Sequence, residues 1–368
     1  MPAGVGVNIH FVEGREQDLD LIKAAGFKWV RMDFGWERTE QKKGEYDFSS
    51  YDKLTANLEK RGLSAIYILD YGNHHYEGEV DCPNPITQAM EKRTASPQHP
   101  ESIEAFARWA AAAAKHFRGK KIAWEIWNEP NIFFWKPKPD AGQYSALALA
   151  TAKSIRTADK NATIIGPATS GLPTEFLETL FKSGVLEYLD AVSVHPYRGE
   201  PPETAGADYK KLRALIDRYA SANRHLPILS GEWGYSSAKG QFSLQTQADY
   251  AVRQQLFNLL NGIPLSIWYD WKNDGQDPGE AEQNFGTVTH DLQPKPGYIA
   301  LQKMIKELAG YRFERRLKTT DERDFVLVFK KGFGRRTLVY WTVEKPHVVS
   351  VGKRDLDLTG SPQYGDWR

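Results

Sequence analysis

One cysteine, Cys82, is all the chain carries in its 368 residues. An internal disulfide and a cysteine-rich zinc site are both excluded by that count. Charge of a single sign is lacking too: 48 Lys and Arg stand against 47 Asp and Glu, a formal net of +1. Such a balance gives no reason to expect nucleic acid or an anionic membrane surface as partner. No run of 18 apolar residues occurs, so no membrane-spanning helix is expected. Internal repeats are missing, and the one biased tract, Ala110–Ala114, reads as ordinary helix. No leader precedes Val5-Gly6-Val7-Asn8, which already reads as strand.

What is present is a regular alternation. Strand-like apolar runs cover Val5–His10, Trp29–Phe34, Ser64–Tyr71, Ile122–Trp127, Thr163–Pro167, Ala191–His195, Pro227–Ser230 and Leu265–Tyr269. Between them lie stretches with helical spacing, such as Tyr51-Leu54-Leu58 and Ile103-Phe106-Ala107-Ala110. Gly26 and Gly62 mark helix ends before the next strand begins. Eight alternating units predict an α/β fold, a (β/α)8 TIM barrel over residues 1–310, whose chemistry belongs on the loops after the strands. From 311 to 368 the pattern changes to short β segments with no helix of useful length, including Phe325–Phe329 and Thr337–Trp341. That stretch reads as a small sandwich-like β domain packed on the barrel.

Two of the strand ends carry glutamates in conspicuous settings: Trp127-Asn128-Glu129-Pro130 and Ser230-Gly231-Glu232-Trp233. Two carboxylates on separate strand ends of one barrel are what retaining glycoside hydrolysis requires. One gives a proton to the leaving oxygen and the other attacks the anomeric carbon, so their surroundings must differ. Asn128 stands where it could bind a sugar hydroxyl next to the reacting carbon. Arg31 is a charged residue inside an apolar strand and needs a carboxylate partner; Asp33 and Glu125 are the candidates. His74 and His75 follow the third strand and read as sugar contacts rather than metal ligands. They have no i, i+4 histidine partner and no further ligand cluster. Long loops at about 71–101, 131–143 and 271–286 frame a cleft, the second with Phe133, Phe134 and Trp135. Aromatic residues make up 12% of the chain and gather at strand ends, so Trp135, Trp268, Tyr269 and Trp271 are candidate stacking platforms for sugar rings.

The chain resembles a clan A glycoside hydrolase and is most similar to family 39, with family 5 as the nearest rival. The residues that carry the likeness are Trp127-Asn128-Glu129-Pro130-Asn131, Phe134-Trp135, Ser193-Val194-His195-Pro196-Tyr197 and Ser230-Gly231-Glu232. It spans about residues 4–310, and the trailing β domain also suits family 39. The resemblance implies Glu129 as general acid/base, Glu232 as nucleophile, and Asn128 as the hydroxyl-binding asparagine. It further implies that Tyr197, from a His195-x-Tyr197 element, lies against the nucleophile, and that Arg31 pairs with Glu232. It also implies a cis peptide at Trp268–Tyr269. No cofactor or metal is called for.

The expected substrate is a neutral β-linked oligo- or polysaccharide, because no basic clamp for a carboxylated sugar stands at the strand ends. The loop aromatics favour endo cleavage over the alternative of an exo-acting, β-xylosidase-like enzyme. Transglycosylation would use the same residues, and a non-catalytic carbohydrate-binding barrel is the reading from another class. A polymeric substrate implies a secreted or periplasmic protein whose leader is absent from this sequence. Nothing in the sequence sets an oligomeric state.

Overall fold

The structure is a computed structural model that describes residues 3–84, 87–352 and 354–367. The eight apolar runs form eight parallel strands: Gly4–Asn8, Trp29–Gly35, Ser64–Asp70, Ile122–Ile126, Thr163–Ser170, Ala191–His195, Ile228–Trp233 and Leu265–Trp268. Each pairs with its neighbours in sequence, and the first closes on the eighth from Gly4↔Leu265 to Val7↔Trp268. The runs are nearly continuous in apolar character because both faces are covered, one by the barrel interior and the other by helices. In the fourth strand all five residues are buried. The eight helices that follow the strands are Glu16–Ala25, Ser49–Arg61, Pro100–His116, Ala141–Ala158, Thr174–Lys182, Gly206–Tyr219, Leu244–Leu260 and Pro296–Glu307. Gly26 and Gly62 take left-handed φ of 89° and 70° after two of them, as the sequence predicts.

The barrel interior is layered, and the layering follows from the two-residue period of a strand. Ile66, Ala123, Ile165, Ala191, Leu229, Leu265 and Ile267 form an apolar plug, with Trp29 against it. Two residues further along, three of these inward positions turn polar: Arg31 follows Trp29, Glu125 follows Ala123 and Ser193 follows Ala191, while Gly231, after Leu229, leaves room for Ser193 and Glu125. The plug therefore supports a charged layer at the C-terminal ends of the strands.

One feature departs from the sequence reading. The loop after the third strand contains an antiparallel hairpin, Glu79–Pro83 with Met90–Thr94. Its residues are mostly exposed, and its apolar alternation is confined to Val80 and Cys82, too short to announce a strand pair. The C-terminal part is built from a four-stranded sheet and a separate hairpin. The sheet runs Arg312–Arg316, Asp324–Lys330, Arg336–Thr342, Gln363–Trp367, and the hairpin pairs His347–Val351 with Arg354–Leu358. Val326, Val328, Leu338, Val349, Val351, Leu356 and Leu358 pack between them. On the sheet's other face Phe325 and Trp341 join the barrel's core.

Candidate active site

At the end of the fourth strand the backbone leaves its extended path. Trp127 and Glu129 both adopt left-handed φ, 70° and 46°. For residues with a Cβ each such conformation costs about 1–2 kcal/mol. Two backbone bonds hold it, Trp127 N to Leu69 O at 3.0 Å and Glu129 N to Ala168 O at 2.9 Å. The result turns the Glu129 carboxyl inward over the polar layer, 7% exposed.

Arg31 is the centre of that layer. Its Nε donates to Glu125 Oε2 at 2.6 Å, its Nη1 to Glu232 Oε2 and to Asn8 Oδ1 at 3.2 Å, and its Nη2 to Asn128 Oδ1 at 2.7 Å. The choice between Glu232 and Glu125 as partner resolves into both. Burial alone would favour losing the proton, but the two carboxylates hold the guanidinium firmly charged. Ser193 Oγ donates to the other oxygen of Glu125 at 2.5 Å, so this buried anion is satisfied on both sides.

The two candidate catalytic carboxylates sit in different company. Glu232, on the seventh strand, takes Arg31 on one oxygen and the Tyr197 hydroxyl on the other at 2.9 Å. Glu129 takes a single ring nitrogen, His195 Nδ1 at 2.9 Å. One carboxylate oxygen of each glutamate and a His195 nitrogen lie within 4.8 Å of one another. Asn128 is fixed from both ends, since its amide nitrogen donates to Tyr71 OH at 3.2 Å.

These groups open into a cavity of about 620 Å³. Tyr71, Phe133 and Phe134 line it on the side of the third and fourth strands, with Phe134 stacked on Tyr71 at 5.8 Å. Tyr197, Tyr269 and Phe285 line it on the side of the sixth to eighth. Asn8, His10, Asp33 and Glu282 complete the lining among others, and sequence reasoning passed over all four as site residues. The period-two step from Arg31 could have found Asp33.

Several expected contacts do not reach the cavity. Trp135 is fully buried against Trp127 and Tyr144, with its ring nitrogen donating to Gln143. Trp268 and Trp271 are likewise in the core, where their ring nitrogens donate to Phe285 O and Asp18. Their size and apolarity suit the wall behind the site, and the smaller Tyr269 is the aromatic that faces in. His74 and His75 turn outward, onto Glu37 and the Gln41 carbonyl. The cis peptide falls at Tyr269–Asp270, not Trp268–Tyr269. Trp268 is still in strand register and Tyr269 N still bonds Trp233 O, so the chain breaks away one residue later. A second cis peptide joins Asp70 to Tyr71.

A second group, His10, Asp270 and Asp274, brings possible ligand atoms within 4.8 Å of one another. Its hydrogen bonding argues against a metal. Burial works against charge on His10, but Asp274, bonded to Nδ1 at 3.0 Å, with Asp270 and Asp33 outweighs it and pushes the ring up to about 9. Near neutral pH it is therefore a cation with no lone pair for an ion.

The family model for Cellulase (glycosyl hydrolase family 5) matches residues 4–275. A β-xylosidase of Caldicellulosiruptor saccharolyticus is 26% identical over 284 residues, 69% of this chain and 55% of that protein. A β-xylosidase of Geobacillus stearothermophilus is 30% identical over 132 residues, 30% of this chain and 26% of the other. The chain thus spans about half the length, or less, of these curated relatives. A family 39 glycoside hydrolase from Bacteroides cellulosilyticus WH2 shares the fold with a TM-score of 0.83 at 23% identity, over 99% of this chain and 80% of that one. The family 39 β-xylosidase of Caulobacter crescentus follows at 0.67 and 21%, over 93% and 78%. The chain therefore belongs to the clan A glycoside hydrolases, within the cellulase group (glycosyl hydrolase family 5) whose model spans its barrel, with family 39 folds as its structural likeness.

Proposed function

We propose that this protein is a retaining β-glycosidase working by double displacement on a neutral β-linked oligo- or polysaccharide. The observation that carries the reading is the pair of unlike carboxylates, Glu129 and Glu232, with oxygens within 4.8 Å across the cavity floor. A nucleophile and an acid/base in retaining enzymes stand about 5–5.5 Å apart, against about 6.5–9.5 Å where a water must fit between them.

Glu232 accepts from a guanidinium and a phenol, a setting that suits an anion poised to attack the anomeric carbon. Glu129, bonded only to His195, protonates the departing oxygen and later deprotonates the incoming water. His195 Nδ1 can donate to the carboxylate or accept from the acid, so its bond survives both halves of the cycle. Asn128, held by Arg31 and Tyr71, presents itself to the hydroxyl beside the reacting carbon. In this reading Glu232→Ala abolishes turnover without unfolding the protein. A 2-deoxy-2-fluoro aryl β-glycoside labels the peptide that contains Glu232, read by mass spectrometry. Early product of inverted anomeric configuration, followed by proton NMR, would overturn the mechanism.

We favour internal cleavage, supported by Phe133 and Phe134 at the cavity mouth. Phe133 is 43% exposed, more apolar surface than a solvent loop needs. Exo action on β-xylosides is the second reading, favoured by the burial of Trp135, Trp268 and Trp271 and by the names of the curated relatives. Oligosaccharide ladders from a β-linked polymer support the first, and monosaccharide release alone supports the second. A polymeric substrate would place the enzyme outside the cytoplasm.

A further inference from the structure

Two aspartates at the cavity wall have no part in the chemistry above. Asp33 is the third inward residue of the second strand, after Trp29 and Arg31. It is exposed to the cavity and lines it beside His10 and Tyr71. Asp70 ends the third strand, level with Gly35 of the second, and is completely buried. Among the described residues neither Asp70 oxygen has a hydrogen-bond donor. Its side chain meets that of Asp33 at hydrogen-bonding range, and burial together with the Asp33 charge pushes its carboxyl well above the ordinary range.

Two ionised carboxylates have nothing to donate, so this contact is a hydrogen bond only if one of the two keeps a proton. Solvation decides which one. Charge on the fully buried, otherwise unpartnered Asp70 would be far more costly than charge on the cavity-facing Asp33. Asp70 therefore stays neutral and donates to Asp33, leaving the remaining lone pairs of Asp33 for something in the cavity.

Among the described residues no further side chain donates to them. Each nitrogen of Arg31 is already engaged, with Glu125, Asn8, Glu232 and Asn128, and no lysine lines the cavity. His10 is committed to Asn8 and Asp274. A carboxylate with lone pairs that no other side chain among the described residues fills, held in fixed orientation on the wall of a sugar cavity, fits the donors a sugar brings. It also repels a sugar carboxylate, as does Glu282 in the loop after the eighth strand.

We propose that Asp33 is a specificity-determining carboxylate that accepts hydrogen bonds from substrate hydroxyls beyond the 2-position, and that neutral Asp70 is the positioning acid that aims it. This rests on the glycosidase reading. Asp33 makes the cavity select uncharged, hydroxyl-bearing sugars over uronides.

The test begins with 4-nitrophenyl β-glycosides: xyloside, glucoside, galactoside, mannoside and glucuronide. The best substrate of the wild type is then compared with its 3-deoxy and 4-deoxy forms. Losing one of those hydroxyls should cost the wild type about 10- to 100-fold in kcat/KM, the range of a charge-assisted hydrogen bond. Asp33→Ala should lose the same factor on the parent sugar and nothing more on that deoxy form. Asp33→Asn, which keeps the shape and an acceptor for Asp70, should lie between, and serves if the alanine variant does not fold. Asp70→Ala should lose as much as Asp33→Ala, whereas Asp70→Asn, whose amide still donates, should recover most of the activity. Equal deoxy penalties in wild type and Asp33→Ala would overturn the proposal, as would glucuronide turnover matching the neutral sugars. Either result leaves the glycosidase reading standing. Wild-type inactivity on every one of these glycosides and on β-linked polysaccharides would remove both.

Discussion

At the scale of single residues, Arg31 has the largest consequences. Its guanidinium is 1% exposed and lies between two carboxylates that are themselves nearly dry. Removing it strands two buried anions, and breaking a buried pair in this way costs about 3–5 kcal/mol. Arg31→Met should therefore unfold at markedly lower urea and lose activity. Arg31→Lys restores the charge but not the planar fork, and should recover only part of the stability. A midpoint for Arg31→Met equal to wild type would show that Glu125 has another source of compensation. The sequence made Arg31 legible because a charge inside an apolar strand demands a partner. It left the aromatics illegible: Trp135, Trp268 and Trp271 serve equally well as core or as platform, and only the bend after each strand decides. His74 and His75 were misplaced for the same reason, since their loop turns them outward onto Glu37 and Gln41.

At the scale of elements, the seventh strand makes its own prediction. A Cβ on Gly231 would lie 2.2 Å from Ser193 Oγ and 3.1 Å from Glu125 Oε1. Gly231→Ala should cost about 1–3 kcal/mol through overpacking and displace Glu232, its neighbour. Removing the obstructing hydroxyl with Ser193→Ala should return part of that loss in the double variant, measured as an interaction energy by thermal or urea unfolding. Additive effects would mean that the backbone, not the hydroxyl, sets the limit. All eight barrel strands were legible because parallel strands buried on both faces read as unbroken apolar runs. The hairpin Glu79–Pro83 with Met90–Thr94 was not, because it buries little and its only alternating apolar pair is Val80 and Cys82. The left-handed turns at Trp127 and Glu129 were equally invisible, since no glycine marks them.

At the scale of the whole molecule, the barrel and the C-terminal sheet are joined by a buried charge. Glu203 accepts from Arg253 at 2.8 and 2.7 Å and from the Trp341 ring nitrogen of the sheet at 2.7 Å. Phe325 packs flat on Trp341 at 4.8 Å and edge-on to Phe257 of the barrel at 6.0 Å. Glu203→Ala leaves Arg253 buried and unpaired, and should destabilise by about 3–5 kcal/mol. If the sheet and barrel unfold as one unit, fluorescence and circular dichroism will shift together in this variant. Separate transitions would show two independent bodies.

The bonds of Arg31 reach Asn8, Glu125, Asn128 and Glu232, side chains from the first, fourth and seventh strands, and Arg31 itself is on the second. No contiguous half of the sequence contains that set. The site is thus indivisible: a half-barrel, however well folded, would hold a fragment of the charge network with its ions unmatched. Recovery of activity after denaturation therefore reports the moment when the second and seventh strands are brought into one ring.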